Sequence, residues 1–143
     1  MPDSNATPTP RVVFERLLRG ITEGSLDTLG DLYAEDAAVE LPFARPAPLR
    51  LEGREQLRAR FEGAGEIPLE FEARNVVVHE TTDPEVIVAE FDYVGRAKTT
   101  GRPFQAANIQ VLRVRDGKIV ASRDFHDHQA FAEALETPVE QLP

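Results

Sequence analysis

The stretch PFQAANIQVLRVRDGKIVASRDFH, residues 103 to 126, decides how this chain folds. At its centre lies Asp116-Gly117, a dipeptide typical of two-residue hairpin turns, and apolar and polar residues alternate on both sides of it. A turn at this point sets Arg115 opposite Lys118. The two runs are therefore predicted to be neighbouring antiparallel strands.

Two segments upstream of this hairpin alternate in the same way. They are IPLEFEARNVVV (67–78) and VIVAEFDYVGRA (86–97). The parity of the first segment flips partway along, which predicts a β-bulge near Arg74-Asn75. The second half of the chain is therefore predicted to be a run of antiparallel strands.

The first half of the chain has helical periodicity instead. Thr9-Pro10 is typical of a helix start, and apolar residues follow at helical spacing from Phe14 to Ile21. A second short helix is predicted from Ser25 or Asp27, and a third over REQLRARFEG (54–63). Another short helix is predicted close to the C-terminus, over QAFAEAL (129–135).

Between the helices, AAVELP (37–42) predicts a short strand and the proline-rich PFARPAPLRLEG (42–53) predicts a loop. The order of the elements is typical of an α+β protein. We expect helices packed on one face of a curved, mainly antiparallel sheet.

Composition limits the classes of function. A chain of 143 residues predicts one domain, which we place at residues 9–136, between a disordered leader (1–8) and a C-terminal tail (137–143). The net charge of -9, with no run of Lys or Arg, argues against nucleic acid or an anionic membrane as a partner. The absence of cysteine and of a secretory signal in MPDSNATPTP favours a cytoplasmic protein.

Asp124 is the first candidate for a catalytic residue. Counted outward from the Asp116-Gly117 turn, Ile109 opposes Asp124 and Val111 opposes Ser122, so these four side chains are predicted to share one sheet face. Desolvation on such an apolar face would raise the pKa of Asp124 and suit it to general acid/base work. Alternatively, this face is exposed and Asp124 is an ordinary surface acid.

Two further acids lie on the preceding strand. If KTTG (98–101) forms a four-residue loop, Asp92 and Glu90 join the face of Asp124, and three carboxyls surround one hollow. A register shifted by one residue places both opposite Asn108 and Gln110 instead. The sequence leaves this register open, and a solvated strand is an equally good explanation of the two acids.

A metal site is a competing interpretation of the same stretch. Asp124, His126 and His128 have strand spacing, and two histidines with one carboxylate can bind a divalent metal. The ligand set requires the strand to continue through His128. Because QAFAEAL already has helical character and Asp127 is suited to cap it, we expect no metal ion.

Several segments together resemble a known superfamily. They are VVFERLLRGITEGSLDTLGDLYAEDAAVE (12–40), GREQLRARF (53–61) and the last hairpin. They are similar to the nuclear transport factor 2-like, or cystatin-like, α+β superfamily, in its branch of SnoaL-like polyketide cyclases and ketosteroid isomerase-like proteins. The resemblance implies a sheet curled into a cone, three N-terminal helices that close it, and a short C-terminal helix. It also implies an apolar pocket and acid/base chemistry without a cofactor.

The resemblance also implies roles for individual residues. SRDFHD (122–127) is similar to the last-strand phrase of limonene-epoxide-hydrolase-like enzymes, in which the acid after Arg is catalytic; that acid matches Asp124. Asp92 matches its acidic partner, whereas Glu90 stands where those enzymes have Arg. The segment RNVVVHETTDPEVIVAEFDYVGRA resembles phenazine-biosynthesis A/B proteins. We expect the following residues to contact substrate: Tyr33, Glu40, Phe43, Glu90, Ile109, Val111, Ser122 and His126.

We therefore expect a small-molecule isomerase or cyclase that acts on a hydrophobic substrate bearing a carbonyl or epoxide, as in polyketide-like secondary metabolism. A homodimer through the outer sheet face is expected, because the last hairpin places apolar residues among polar ones there. The alternatives are a non-catalytic binder of hydrophobic ligands or dimeric scaffold, and an epoxide hydrolase.

Overall fold

The computed structural model describes residues 6–135. Most of the expected leader (1–8) and all of the expected tail (137–143) lie outside that range. The elements are α1 (Pro10–Glu23), a 3₁₀ helix (Leu26–Leu32), β1 (Tyr33–Leu41), β2 (Leu49–Glu52), α2 (Arg54–Gly65), β3 (Leu69–Glu80), β4 (Val86–Ala97), β5 (Pro103–Arg115), β6 (Lys118–His126) and α3 (His128–Leu135).

The strands form one six-stranded sheet in the order β2-β1-β6-β5-β4-β3. Every neighbouring pair is antiparallel except β1 and β6, which run parallel. The expected α+β class, with helices against a curved mixed sheet, is confirmed. Strands β3 and β4 approach closely at Gly95, where a Cβ atom would lie 1.9 Å from the backbone oxygen of Glu70, so no larger residue fits there without movement.

The first helix begins and ends as its sequence predicts. The Thr9 side chain accepts a hydrogen bond of 3.3 Å from the backbone N–H of Val12, and Gly24 ends the helix with a φ of 79°. The buried stripe of α1 packs on the inner face of the sheet. Phe14 and Phe91 mark this contact, with ring centroids 5.6 Å apart.

Two predictions about the middle of the chain need correction. The predicted short strand begins earlier, at Tyr33, and the segment predicted as a loop contains β2, in which Leu51 pairs with Val39. The predicted bulge in β3 is confirmed: the register shifts between Arg74 and Val77, and Asn75 takes a left-handed φ of 56°.

The predicted register of the last hairpin is wrong beyond its second pair. Arg115 pairs with Lys118 and Val114 with Ile119 as expected, but the register then shifts by one residue. Val120 is the extra residue of this β-bulge, and a shift of one residue moves every following side chain to the other face of the sheet.

The shift changes the neighbours of Asp124. Asp124 lies opposite Gln110, and Ile109 lies opposite Phe125. Ile109 and Val111 therefore lie on the outer face of the sheet, whereas Asp124 and the buried Ser122 face the helices.

Of the two registers considered for β4 and β5, the structure has the one that a four-residue KTTG loop implies. Asp92 lies opposite Ala107, and Glu90 lies opposite Ile109. Both acids share the outer face with Ile109, so the expected hollow of three carboxyls is wrong. Asn75 donates a hydrogen bond of 2.8 Å to Asp92, and a side-chain oxygen of Glu90 lies 2.5 Å from Nε2 of His79.

Glu40 also lies on the outer face. It is paired in register with Arg123 of β6, and its carboxylate accepts a hydrogen bond of 2.9 Å from Arg50. The neighbouring Val39 is paired with the buried Ser122 and faces the helices.

Candidate functional site

A cavity of about 210 Å³ lies between the helices and the inner face of the sheet. Apolar side chains from α1, α2, the sheet and α3 form most of its wall: Leu17, Leu57, Phe61, Leu69, Phe71 and Phe131. A concave, mostly apolar wall with a few polar groups is typical of small-molecule sites.

Asp124 contributes a buried carboxyl group to this cavity. Only 8% of its surface is exposed, and it is the one acid among the described residues that line the cavity. Burial raises its pKa to about 6, because the charged form loses hydration. Hydrogen bonds from Ser122 and Gln110 and the positive charge of Arg60 oppose this rise. The carboxyl group can therefore accept or donate a proton near neutral pH.

Two tyrosines line the cavity close enough to Asp124 to feel its charge. Burial raises the pKa of Tyr33 and of Tyr93, and the negative charge of Asp124 adds to both shifts. Both phenols therefore keep their protons. Neither hydroxyl makes a hydrogen bond within residues 6–135, so each is free to donate to a ligand.

The hydrogen bonds around His126 fix its tautomer. The side-chain amide of Asn108 donates to the backbone oxygens of Phe91 (3.4 Å) and Ala106 (3.1 Å), so its Oδ1 is the atom that faces Nδ1 of His126 at 2.7 Å. Nδ1 therefore carries the proton and donates it. Burial and the charge of Arg60 lower the pKa of His126 to about 4, so Nε2 is an acceptor at neutral pH.

Arg60 brings a positive charge to the same cavity. It lies on α2 between Leu57, Phe61 and Ala64, which also line the cavity. Burial lowers its pKa, while the charge of Asp124 works in the opposite direction. An acid, a cation and two phenols thus converge on one apolar space.

A second, more open cleft adjoins this cavity. Phe43, Arg45, Ile109 and Phe125 line it, and it shares His126 and His128 with the cavity. The rings of Phe43 and Phe125 lie 5.2 Å apart. Phe43 is 61% exposed and lies in this cleft, at the side of the cavity, and does not line the cavity itself.

The structure brings together only some of the residues expected at the site. Asp124, Tyr33 and His126 line the cavity. The hydroxyl of Ser122 donates a hydrogen bond to the carboxyl group of Asp124. Phe43 borders the adjoining cleft. The remaining candidates lie on the outer face of the sheet: Asp92, Glu90, Glu40, Ile109 and Val111.

Sequence reasoning missed four polar groups of the site: Arg60, Tyr93, Asn108 and Gln110. The sequence did indicate Arg60, because its spacing from Leu57, Phe61 and Ala64 places a charged residue on the apolar face of the predicted helix. Asn108 and Gln110 alternate with apolar residues and resemble the exposed face of a strand. They are buried because they share a face of β5 with Ala106, Leu112 and Val114, which is the face that the helices cover.

The metal interpretation finds no support in the described part of the chain, where no three His, Asp or Glu side chains are grouped to hold an ion. The strand ends at His126, and a side-chain oxygen of Asp127 accepts a hydrogen bond of 3.1 Å from the N–H of Ala130. The predicted cap of the last helix is thereby confirmed.

These features define a class: an α+β domain whose curved sheet and helices enclose an apolar ligand cavity with a buried acid. The chain belongs to the SnoaL-like domain family, which matches residues 14–122. The expected superfamily branch is confirmed. No helix among residues 6–135 is long and apolar enough to cross a membrane.

The relatives support the same family. An uncharacterized PhzA/B-like protein of Pseudomonas aeruginosa is 34% identical over 119 residues, which cover 82% of this chain and 84% of that protein. A structure of a proposed isomerase from Bacillus subtilis has a TM-score of 0.81 at 24% identity, over 89% of this chain and 92% of that one.

A second similar structure comes from Catenulispora acidiphila. This hypothetical protein with a ketosteroid isomerase-like fold was solved in complex with trimethylamine. It has a TM-score of 0.73 at 18% identity and covers 96% of this chain and 100% of its own. At these identities the two solved structures bear on the fold alone.

Proposed function

We propose that the protein is a cofactor-independent isomerase or cyclase that moves a proton on a hydrophobic carbonyl compound. The observation behind this proposal is Asp124, a carboxyl group with a pKa of about 6 in an apolar cavity. A base of this kind is partly desolvated before substrate arrives, and its pKa suits proton transfer at neutral pH.

In the proposed reaction, the carboxylate of Asp124 removes a proton from the carbon next to the carbonyl. The electron pair of the broken C–H bond moves toward the carbonyl oxygen and forms an enolate. In an isomerisation, protonated Asp124 returns the proton to another carbon of the conjugated system. In a cyclisation, the enolate carbon attacks a second carbonyl carbon, and Asp124 protonates the alkoxide that results.

The negative charge on the enolate oxygen needs donors that are already oriented. Tyr33 and Tyr93 fit this requirement, because both keep their protons and have no other acceptor in the described residues. Ser122 and Gln110 would hold the carboxyl of Asp124 in place. His126 would offer its Nε2 as an acceptor to a substrate hydroxyl.

The other two expectations have less support. Epoxide hydrolysis of the kind considered from the sequence pairs two acids, but Asp92 lies on the opposite face of the sheet from Asp124. A pure scaffold does not need an internal cavity, and this chain has one. A non-catalytic binder remains the alternative that the following experiment separates from an enzyme.

The test uses carbon acids of graded size, because it does not depend on the natural substrate. Hydrophobic β-keto esters and cyclic enones are incubated with the protein in D₂O, and loss of the α-proton signal is followed by NMR. We expect exchange faster than in buffer for the members that fit the cavity, with a rate that rises with pH through about 6 as Asp124 ionises.

The matched variants are Asp124→Asn and Asp92→Asn. The first removes the proposed base and should lower the exchange rate by about 10²–10⁴-fold, whereas the second changes an outer-face acid and should leave the rate unchanged. Native exchange in Asp124→Asn, or ligands that bind to the native protein without any exchange, would overturn the proposal in favour of a binder.

We also propose a homodimer through the outer face of the sheet. Val77 and Ile109 are exposed there, and Phe43 is exposed beside it. A dimer of this kind would bury about 1,600 Å² in total. Light scattering should show twice the chain mass for the native protein and for a Thr99→Glu control, but a monomer for Ile109→Glu. A native monomer at micromolar concentration would refute it.

A further inference from the structure

Arg60 is a half-buried cation with no partner among the described residues. Its side chain is partly buried in the cavity wall, and within residues 6–135 it makes neither a hydrogen bond nor an ion pair. All its neighbours on the inner stripe of α2 are apolar. Removing a guanidinium from water without a compensating acceptor is unfavourable, so an acceptor from outside the chain would stabilise it.

A second polar group in the same wall lacks a partner. Nε2 of His128 is buried and has no hydrogen-bond partner among the described residues. His128 lines both the cavity and the adjoining cleft, and the positive charges of Arg60 and Arg45 reach it. Its Nε2 is therefore an unsatisfied group on the boundary of the two spaces, close enough to Arg60, Arg45 and Asp127 to feel their charges.

The chain's own acid does not serve as the missing acceptor. Asp124 influences Arg60 at a distance, but no ion pair joins them, and the carboxyl of Asp124 is held by Ser122 and Gln110. Arg60 and Arg45 thus bring two positive charges to the cavity and its adjoining cleft, in a chain whose net charge is -9.

We propose that the ligand of this cavity is an amphiphilic carboxylate, with its apolar body among the aliphatic and aromatic side chains and its carboxylate on Arg60 and His128. This proposal rests on the proposed function only in that both assign the ligand to the same cavity. A planar guanidinium matches the two oxygens of a carboxylate, and Nε2 of His128, in the tautomer that carries its proton there, adds a third donor. Arg45 in the adjoining cleft would attract the anion toward this end.

This placement orients the ligand for chemistry. With the carboxylate held between Arg60 of α2 and His128 of α3, the apolar body would extend among the remaining apolar side chains of the cavity. The reacting carbon would then lie along that body, beside Asp124. The carboxylate itself would take no part in the reaction.

The test compares two probes of nearly equal shape, 4-tert-butylbenzoate and 4-tert-butylbenzamide. Their binding is measured by NMR titration at neutral pH with the native protein, Arg60→Met, His128→Leu and Arg16→Met. Arg16 is exposed on α1 and controls for the change in net charge. We expect the native protein and Arg16→Met to bind the acid roughly tenfold or more tightly than the amide.

Arg60→Met should lose most of this preference, because the acid weakens while the amide keeps its affinity. His128→Leu should lose part of it. Equal affinity of the native protein for the two probes, no binding of either, or a full preference in a folded Arg60→Met would each overturn the carboxylate assignment. These binding measurements do not depend on proton transfer. The proposed reaction is tested separately, and it fails if Asp124→Asn exchanges α-protons at the native rate.

Discussion

The burial of Asp124 should cost this protein stability, by an amount that depends on pH. The pKa of Asp124 is raised from 3.8 to about 6 in the folded protein. The folded state therefore binds the proton more tightly than the unfolded state does, and the resulting stability is complete below pH 3.8 and is lost as pH rises through 6. A shift of this size corresponds to about 3 kcal/mol in the free energy of unfolding.

Asp124→Asn removes this titration while keeping the side chain's shape. The informative quantity is the difference in unfolding free energy between the variant and the native protein, followed as a function of pH. Between pH 4.5 and pH 8 this difference should move in favour of the variant by about 2 kcal/mol. Contributions from all other titrating groups are common to both proteins and cancel.

Urea unfolding followed by circular dichroism at four or five pH values measures this difference. Asp36→Asn is the matched control, because Asp36 is exposed on β1 and makes no hydrogen bond in the described part of the chain. Its curve should run parallel to the native one. If the curve of Asp124→Asn also runs parallel to the native curve, Asp124 is not desolvated and the acid/base proposal loses its physical basis.

The remaining predictions use the same unfolding and exchange measurements. Gly95→Ala should lose about 3 kcal/mol, because its methyl group would meet the Glu70 backbone, whereas the exposed helical Gly63→Ala should gain up to about 1 kcal/mol; equal effects would contradict the close approach of β3 and β4. Tyr33→Phe and Tyr93→Phe should slow exchange by about tenfold or more without loss of stability, since neither hydroxyl has a partner within the described residues. A native rate in both would exclude an oxyanion role. Thr9→Ala should cost about 1 kcal/mol through loss of the helix cap, and an unchanged midpoint would show that the cap does not matter.

The elements of the fold could largely be predicted from the sequence, because local signals and the global structure agree. The strands β4, β5 and β6 begin and end where the alternating segments do, and the Asp116-Gly117 turn has the left-handed φ values of 53° and 76° that this dipeptide favours. The cap at Thr9 and the bulge near Asn75 likewise depend on a few adjacent residues. Strand β2 escaped prediction because its alternating segment, Leu49–Glu52, is only four residues long and directly follows a proline-rich stretch.

The candidate site could be predicted only in part, because it depends on register. The predicted register gave Asp124 incorrect neighbours although the turn was correct, since nothing in KIVASRDFH indicates that Val120 is an extra residue. The sequence left the register of Asp92 and Glu90 open, and both lie on the face that Asp124 does not share. Arg60 could have been found, because a charged residue in the apolar stripe of a helix is unusual unless it has a use.

The bulge at Val120 decides which face of the sheet Asp124 lies on, and therefore whether its carboxyl group is buried. Without it, Asp124 would lie opposite Ile109 on the outer face, in contact with solvent and with an ordinary acid strength. With it, Asp124 turns inward, onto the face that Asn108 and Gln110 of β5 already share with the buried Leu112 and Val114, so the carboxyl is desolvated and at the same time supplied with hydrogen-bond donors. Desolvation without those donors would leave the acid protonated at neutral pH and unable to act as a base. Donors without desolvation would leave it too weak a base to remove a proton from carbon. The inward register supplies both conditions, and it orders them on a strand, where backbone pairing fixes the carboxyl relative to the phenols of Tyr33 and Tyr93.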